Sequence, residues 1–415
     1  MRNLVIKTVA EIKRNLKTIN LKISKSIIII FVAVKTAIMK NSTITLLKKF
    51  VTFFVALALA FSALSQKTPA DTIFKQANIL GNMEKVADWQ LNNWDTGGFK
   101  RRKYDWTYAA AYAGIMELAA ISKDKQYENL MLRIGNDLNW NTGARRYMAD
   151  DYCIAQMYCK LYSVYKDEKM IAPFRQLADS IINEPHTESL EWKPGITNRE
   201  WAWCDALFMG PTSLSYLSTV TSQKKYLDIA VKLWWKTTDY LYDSAEHLYF
   251  RDGSYLDKKE KNGQKVFWSR GNGWVTAGLV RVLENMPANY PGRKKFIQLY
   301  KDMMARIISV QQADGSWHAS LLDPESYPIK ETSGTGFYAY SILWGINHKI
   351  LDKKTYLPAA IKAWKALLDA VHPDGKLGNV QPIGGAPDKV DVNSTDTYGV
   401  GAFLLAGSEL YKLKP

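Results

Sequence analysis

A chain of 415 residues with 47% hydrophobic, 12% aromatic and 23% charged residues is too long and too apolar to be mainly disordered, and could form one large domain or two. Its formal charge of +15 is concentrated at one end: residues 1–65 hold eleven Lys/Arg and one acid, leaving 44 basic and 39 acidic groups in the remainder. That near balance argues against nucleic-acid binding through a global basic field and leaves a mildly basic body suited to an anionic small substrate. The 14 Trp, 23 Tyr and 14 Phe suit either a heavy core or a wall of sugar-stacking platforms.

Lys48 and Lys49 precede an apolar run, Phe50 to Leu64, and Ala63-Leu64-Ser65 puts small residues where a signal peptidase reads. This predicts a secretory signal cleaved after Ser65 and a secreted or periplasmic protein starting at Gln66. Met39-Lys40 would open a signal of ordinary length, so residues 1–38 read as an upstream extension. The apolar run and Ile27 to Val34 are both shorter than the ~20 residues of a spanning helix, which argues against an anchor and against stable membrane insertion after cleavage.

From 66 to 415 the chain shows no linker and reads as one domain. Apolar residues at spacings of three and four predict twelve helices: 71–90, 106–121, 124–138, 150–166, 170–183, 203–220, 224–241, 273–286, 294–312, 335–349, 354–371 and 396–412. Twelve helices can pair as six hairpins that close into a ring, with little strand. Asp-Gly turns after helices, at Asp314-Gly315 and Asp374-Gly375, with a looser echo at Asp95-Thr-Gly-Gly, support a repeated unit. The loops that follow are long, polar and aromatic, and function is expected there.

In chain order, Asp150 and Asp151 open a helix and are read as caps or as one acid of a pair. Asp205 lies near a helix start amid Trp201, Trp203 and Phe208; a poorly solvated carboxyl keeps its proton, which suits a general acid, but capping explains an Asp there equally well. Arg270, between Trp268 and Trp274 and followed by Gly-Asn-Gly, is read as a fork for a carboxylate, with stacking on Trp as the structural alternative. Trp317-His318 and Glu331-Thr-Ser333-Gly-Thr-Gly complete the polar clusters ahead of helices; the latter lacks the Lys and strand of a phosphate loop. Cys153, Cys159 and Cys204 read as buried free thiols, and five scattered His give little support to a metal, so no metal or cofactor is expected.

Trp203-Cys-Asp205-Ala-Leu-Phe-Met209, Trp268-Ser-Arg270-Gly-Asn-Gly-Trp274 and Glu331-Thr-Ser333-Gly-Thr-Gly, in this order, resemble glycoside hydrolase family 105, the unsaturated rhamnogalacturonyl hydrolases, over essentially all of 66–415. The resemblance implies an all-α (α/α)6 barrel and a substrate whose nonreducing sugar is a 4,5-unsaturated uronic acid left by a polysaccharide lyase. It implies that Asp205 is the catalytic acid and base, Asp151 the second acid, and Trp268, Arg270 and Trp274 substrate contacts, with Trp203 and Met209 beside the catalytic Asp. His318, Glu331 and Ser333 join the expected substrate-binding set. The sequence departs from the family at Asn198-Arg199, where some members have His, and at Phe250-Arg251-Asp252, where they have Tyr-His-Ala. The extra Arg in these places, Arg199 and Arg251, resembles members acting on other uronic acid polymers, including sulfated ulvan, so a pectic rhamnogalacturonan or an ulvan-type substrate is expected, with Arg251 among the substrate-binding residues.

The chemistry follows from such a substrate. The unsaturated uronide is a vinyl ether, so protonating C4 makes an oxocarbenium-like centre at C5 and the ring oxygen, which water traps; the hemiketal opens and the glycosidic bond is lost. One carboxyl can donate and then accept the proton, so the paired carboxylates of ordinary glycosidases are not required. Rival readings are an ordinary (α/α)6 glycosidase, a polysaccharide lyase using a Tyr or His base, and a secreted carbohydrate-binding protein without activity.

Overall fold

A computed structural model describes residues 73–413; the expected signal and its cleavage point lie outside them. All twelve expected helices are present: α1 (Gln76–Gly97), α2 (Trp106–Ala119), α3 (Gln126–Asp137), α4 (Ala155–Tyr165), α5 (Ala172–Asn183), α6 (Ala206–Thr221), α7 (Lys224–Leu241), α8 (Ser269–Asn285), α9 (Arg293–Ser309), α10 (Thr332–Asn347), α11 (Lys353–Leu368) and α12 (Thr397–Lys412). Two short antiparallel pairs join them: β1 (Tyr242–Asp243) with β2 (Leu248–Tyr249), and β3 (Trp317–His318) with β4 (Lys330–Glu331).

The even-numbered helices pack in order, α2 on α4, α4 on α6, α6 on α8, α8 on α10, α10 on α12 and α12 back on α2, which closes an (α/α)6 barrel. Their sequences show why they lie inside. Along α10, Thr-Ser-Gly-Thr-Gly-Phe-Tyr-Ala-Tyr-Ser-Ile-Leu-Trp-Gly-Ile carries no charge, and every residue from Thr332 to Ile346 is buried. A helix covered on all sides has no wet face to satisfy. The odd-numbered helices bury one stripe instead: α7 turns Leu227, Ala230, Leu233, Trp234 and Leu241 inward and leaves Lys225 and Asp228 in water.

The seam between α12 and α2 is made by glycine. A Cβ on Gly114 would lie 2.5 Å from the Gly401 carbonyl oxygen, so only two bare backbones can approach this closely. The Asp-Gly turns hold as read, with Gly315 and Gly375 in left-handed conformation (φ 88° and 100°). Each inner helix starts after a long connection (98–105, 138–154, 184–205, 242–268, 310–331 and 369–396), whereas the connections into the outer helices are short. The N-termini of all six inner helices and all the long loops therefore gather at one end. Aligned helix dipoles make that end favourable to anions.

Candidate active site

Three inner helices open on an acid that caps them. Asp105 accepts from the Thr107 amide at 3.0 Å, Glu331 from those of Ser333 and Gly334 at 3.0 and 2.6 Å, and Asp396 from that of Thr397 at 2.8 Å. Asp205 holds the same place before α6 yet makes no capping bond. Its backbone is already helical (φ −61°, ψ −29°), whereas a capping residue needs an extended one to fold its oxygen back over the free amides. The sequence left capping and acid chemistry equally open; geometry removes capping.

Asp205 is partly exposed, and its carboxyl accepts a hydrogen bond from the Cys204 thiol, Sγ to Oδ1 3.2 Å. Burial pushes its pKa up, against the pull of Arg251, the Cys204 bond and Arg270. The thiol is itself buried and pushed up, so it stays a neutral donor.

The neighbouring acid is Asp150, on the 3₁₀ turn Ala149–Tyr152 ahead of α4. Burial and then the charge of Asp205 push it up to about 7, while Arg145 pulls the other way. Asp151, expected as the second acid, lies elsewhere. It is 3% exposed and gripped by Arg145, Nη2 to Oδ1 2.5 Å and Nε to Oδ2 3.1 Å, with the Arg145 amide adding a third bond at 2.9 Å. A carboxylate fixed by a guanidinium and an amide holds the 143–151 loop and has little left for a substrate. Of the tandem acids, Asp150 is the one coupled to Asp205.

Arg270 also departs from expectation. It is sandwiched between Trp268 (4.5 Å) and Tyr398 (4.7 Å), not Trp274, and is 1% exposed. Its fork donates to the carbonyls of Gln381 and Pro382 at 2.7 and 2.9 Å, so the carboxylate clamp is already engaged by protein backbone. Gln381 is a hub: its side chain accepts from Trp268 Nε1 and donates to the Ala386 carbonyl, its amide donates to Glu331, and its carbonyl also accepts from Tyr398. Together these bonds pin the Gln381-Pro-Ile-Gly-Gly-Ala386 loop.

The other expected contacts divide by exposure. Trp203, Met209, Trp268, Trp274, Glu331 and Ser333 are buried. Trp274 packs against Phe208 and Phe337, Glu331 caps α10, and Ser333 Oγ donates to Glu331. These residues build the floor and expose almost no surface to a ligand. His318 is partly exposed, with Nδ1 3.2 Å from the Pro324 carbonyl oxygen. Arg251 is partly exposed, pairs with Asp252 at 2.6 Å and acts on Asp205. The sequence reading passed over Trp106, which is partly exposed at the start of α2 and stacks on Tyr398 at 5.4 Å, although an aromatic opening an inner helix was a usable signal. Gln381 had none, since it lies in a loop without periodicity. Among the described residues no group of three or more His, Cys, Asp or Glu is arranged to hold a metal.

Comparison with known proteins gives this geometry a family. A profile described as Glycosyl Hydrolase Family 88 matches residues 82–414, which bears out the resemblance carried by the motifs. A curated relative from Formosa agariphila, named unsaturated 3S-rhamnoglycuronyl hydrolase, is 38% identical over 85% of this chain and 96% of its own. Two solved structures superpose with TM-score 0.73 at 31% identity. One, described as glycosyl hydrolase family 88 from Bacteroides vulgatus, is matched over 82% of this chain and all of that one; the other, described as Polysaccharide Lyase BACCELL_00875, over 81% and 97%. The chain belongs to glycosyl hydrolase family 88 and is a glycoside hydrolase.

Proposed function

We propose that this chain removes the terminal 4,5-unsaturated uronic acid from oligosaccharides released by polysaccharide lyases, with Asp205 as acid and base. The observation that carries this reading is the acid at the start of α6 that caps nothing while its counterparts on α2, α10 and α12 do. It is partly exposed and held in a setting that favours its proton. Asp205 gives that proton to C4, water adds at C5, and the carboxylate takes a proton back from the water; the hemiketal then opens with loss of the glycosidic bond. Beside it, burial and then the charge of Asp205 keep Asp150 protonated up to about pH 7.

The relative's name, with the extra Arg251, favours oligosaccharides in which the uronic acid is joined to a sulfated rhamnose, as in ulvan, over pectic ones. The expected signal would send the enzyme to the periplasm or outside the cell, where such fragments form. The neighbour named as a lyase makes elimination the second reading. One measurement separates the two: with lyase digests of ulvan, pectin and glycosaminoglycans, the ultraviolet absorbance of the enol ether falls on hydration and rises on elimination. A rise, or no change with every digest, overturns the proposal.

A further inference from the structure

The buried fork of Arg270 leaves open what binds the substrate's own carboxylate. C6 is attached to C5, next to the C4 that Asp205 protonates, so the cation that holds it must stand within one sugar ring of Asp205. Arg251 fits this place. Nη1 donates to Asp252 at 2.6 Å, and the other Asp252 oxygen accepts from the Ser254 amide at 2.8 Å, so the guanidinium is aimed before any ligand arrives. Among the described residues Nε is enclosed without a partner, while Nη2 has no partner and is not enclosed. Gly385, on the pinned loop, lies against the group: a Cβ there would stand 3.3 Å from Cζ and 3.6 Å from Nη2.

We propose that Arg251, and not Arg270, holds the C6 carboxylate of the unsaturated sugar and so decides for a free uronic acid over its ester. The assignment rests on the activity proposed above. Asp252 has a second part in it, because by occupying Nη1 it keeps Arg251 from pairing directly with Asp205, a bond that would strip the acid of its proton. A bound carboxylate also offsets the charge of Arg251 and favours protonated Asp205, so the correct substrate arms its own acid.

The test is equilibrium binding in the Asp205→Asn background, using an unsaturated disaccharide and its C6 methyl ester. With Arg251 present the acid is expected to bind about 10- to 100-fold more tightly than the ester, as for a charge-assisted bond in a partly dry site. Arg251→Met should reduce that preference to near unity, and Arg251→Lys should leave an intermediate value; the Lys variant decides the matter if the Met variant does not melt cooperatively. Retention of the full preference in either variant overturns the assignment while leaving the activity intact. If the wild-type protein hydrates no unsaturated oligosaccharide, the proposed activity itself has failed.

Discussion

The two ends of the inner ring carry similar residues and treat them in opposite ways. At the end away from the long loops, Glu117 of α2 meets Lys160 of α4, Arg281 of α8 and Lys412 of α12, while Arg281 Nε donates to Gln156 at 2.7 Å and Glu409 accepts from Lys412 and Asn347. Burial pushes Glu117 up, but its cations overcome this and hold the carboxyl at about 2. At the loop end Asp205 and Asp150 are only partly covered, no cation among the described residues bonds to either, and desolvation raises both. The nearby guanidiniums are occupied elsewhere, Arg145 on Asp151, Arg251 on Asp252 and Arg270 on backbone. A buried acid with a direct cation becomes a fixed strut; the same acid with its cation diverted becomes a proton store.

The largest break in this contrast is expected at the strut. Glu117→Gln leaves fully buried Arg281 without its counter-ion and should cost about 3 kcal/mol of stability, read from denaturant unfolding, with kcat of the folded fraction unchanged. Next, Asp205→Asn should not destabilise the fold and should lower turnover at least ~100-fold; near wild-type hydration in a normally folded variant would remove Asp205 from the mechanism. Arg270→Lys loses a two-carbonyl fork and should lower the melting temperature while KM stays close to wild type. A raised KM with unchanged melting would restore Arg270 as a ligand residue. The smallest effect is expected at Asp150. An acid whose folded pKa exceeds its unfolded value penalises the fold above the unfolded pKa, about 3.8, and fully above about 7. Asp150→Asn should therefore melt above wild type at pH 8, with the gain vanishing by pH 4, and the fall in kcat/KM as pH rises through about 7 should shift or disappear.

The helices were legible because apolar period survives even in an all-buried helix flanked by turns; α7 runs over the predicted span, Leu241 included. The starts of α8 and α10 were placed four and three residues late, at Gly273 and Thr335, because Gly271 and Gly334 before them were read as loop. In the fold they belong to first helical turns, where the missing Cβ admits a neighbour: one on Gly334 would stand 2.6 Å from Ser269 Oγ, and one on Gly271 2.9 Å from Trp268. Local sequence cannot separate a glycine needed for backbone freedom from one needed for room. The same limit explains the site. Asp205 could be singled out from its motif, but whether Asp150 or Asp151 faces it depends on where Arg145 turns, and the engagement of Arg270 depends on a loop more than a hundred residues away.

The glycine seam between α2 and α12 bears on how the molecule is made. The ring is sealed by contact between the second and the last of the described helices, so a ribosome must deliver α12 before the barrel can exist at all. Until then the inner faces of α2 and α10, destined for full burial, have no cover, and the Asp205 end has no Tyr398 against which Arg270 can stack. The site therefore appears only once α12 has been made. A polypeptide stopped short of Thr397 would be an open arc of helical hairpins with its apolar interior available to chaperones and proteases.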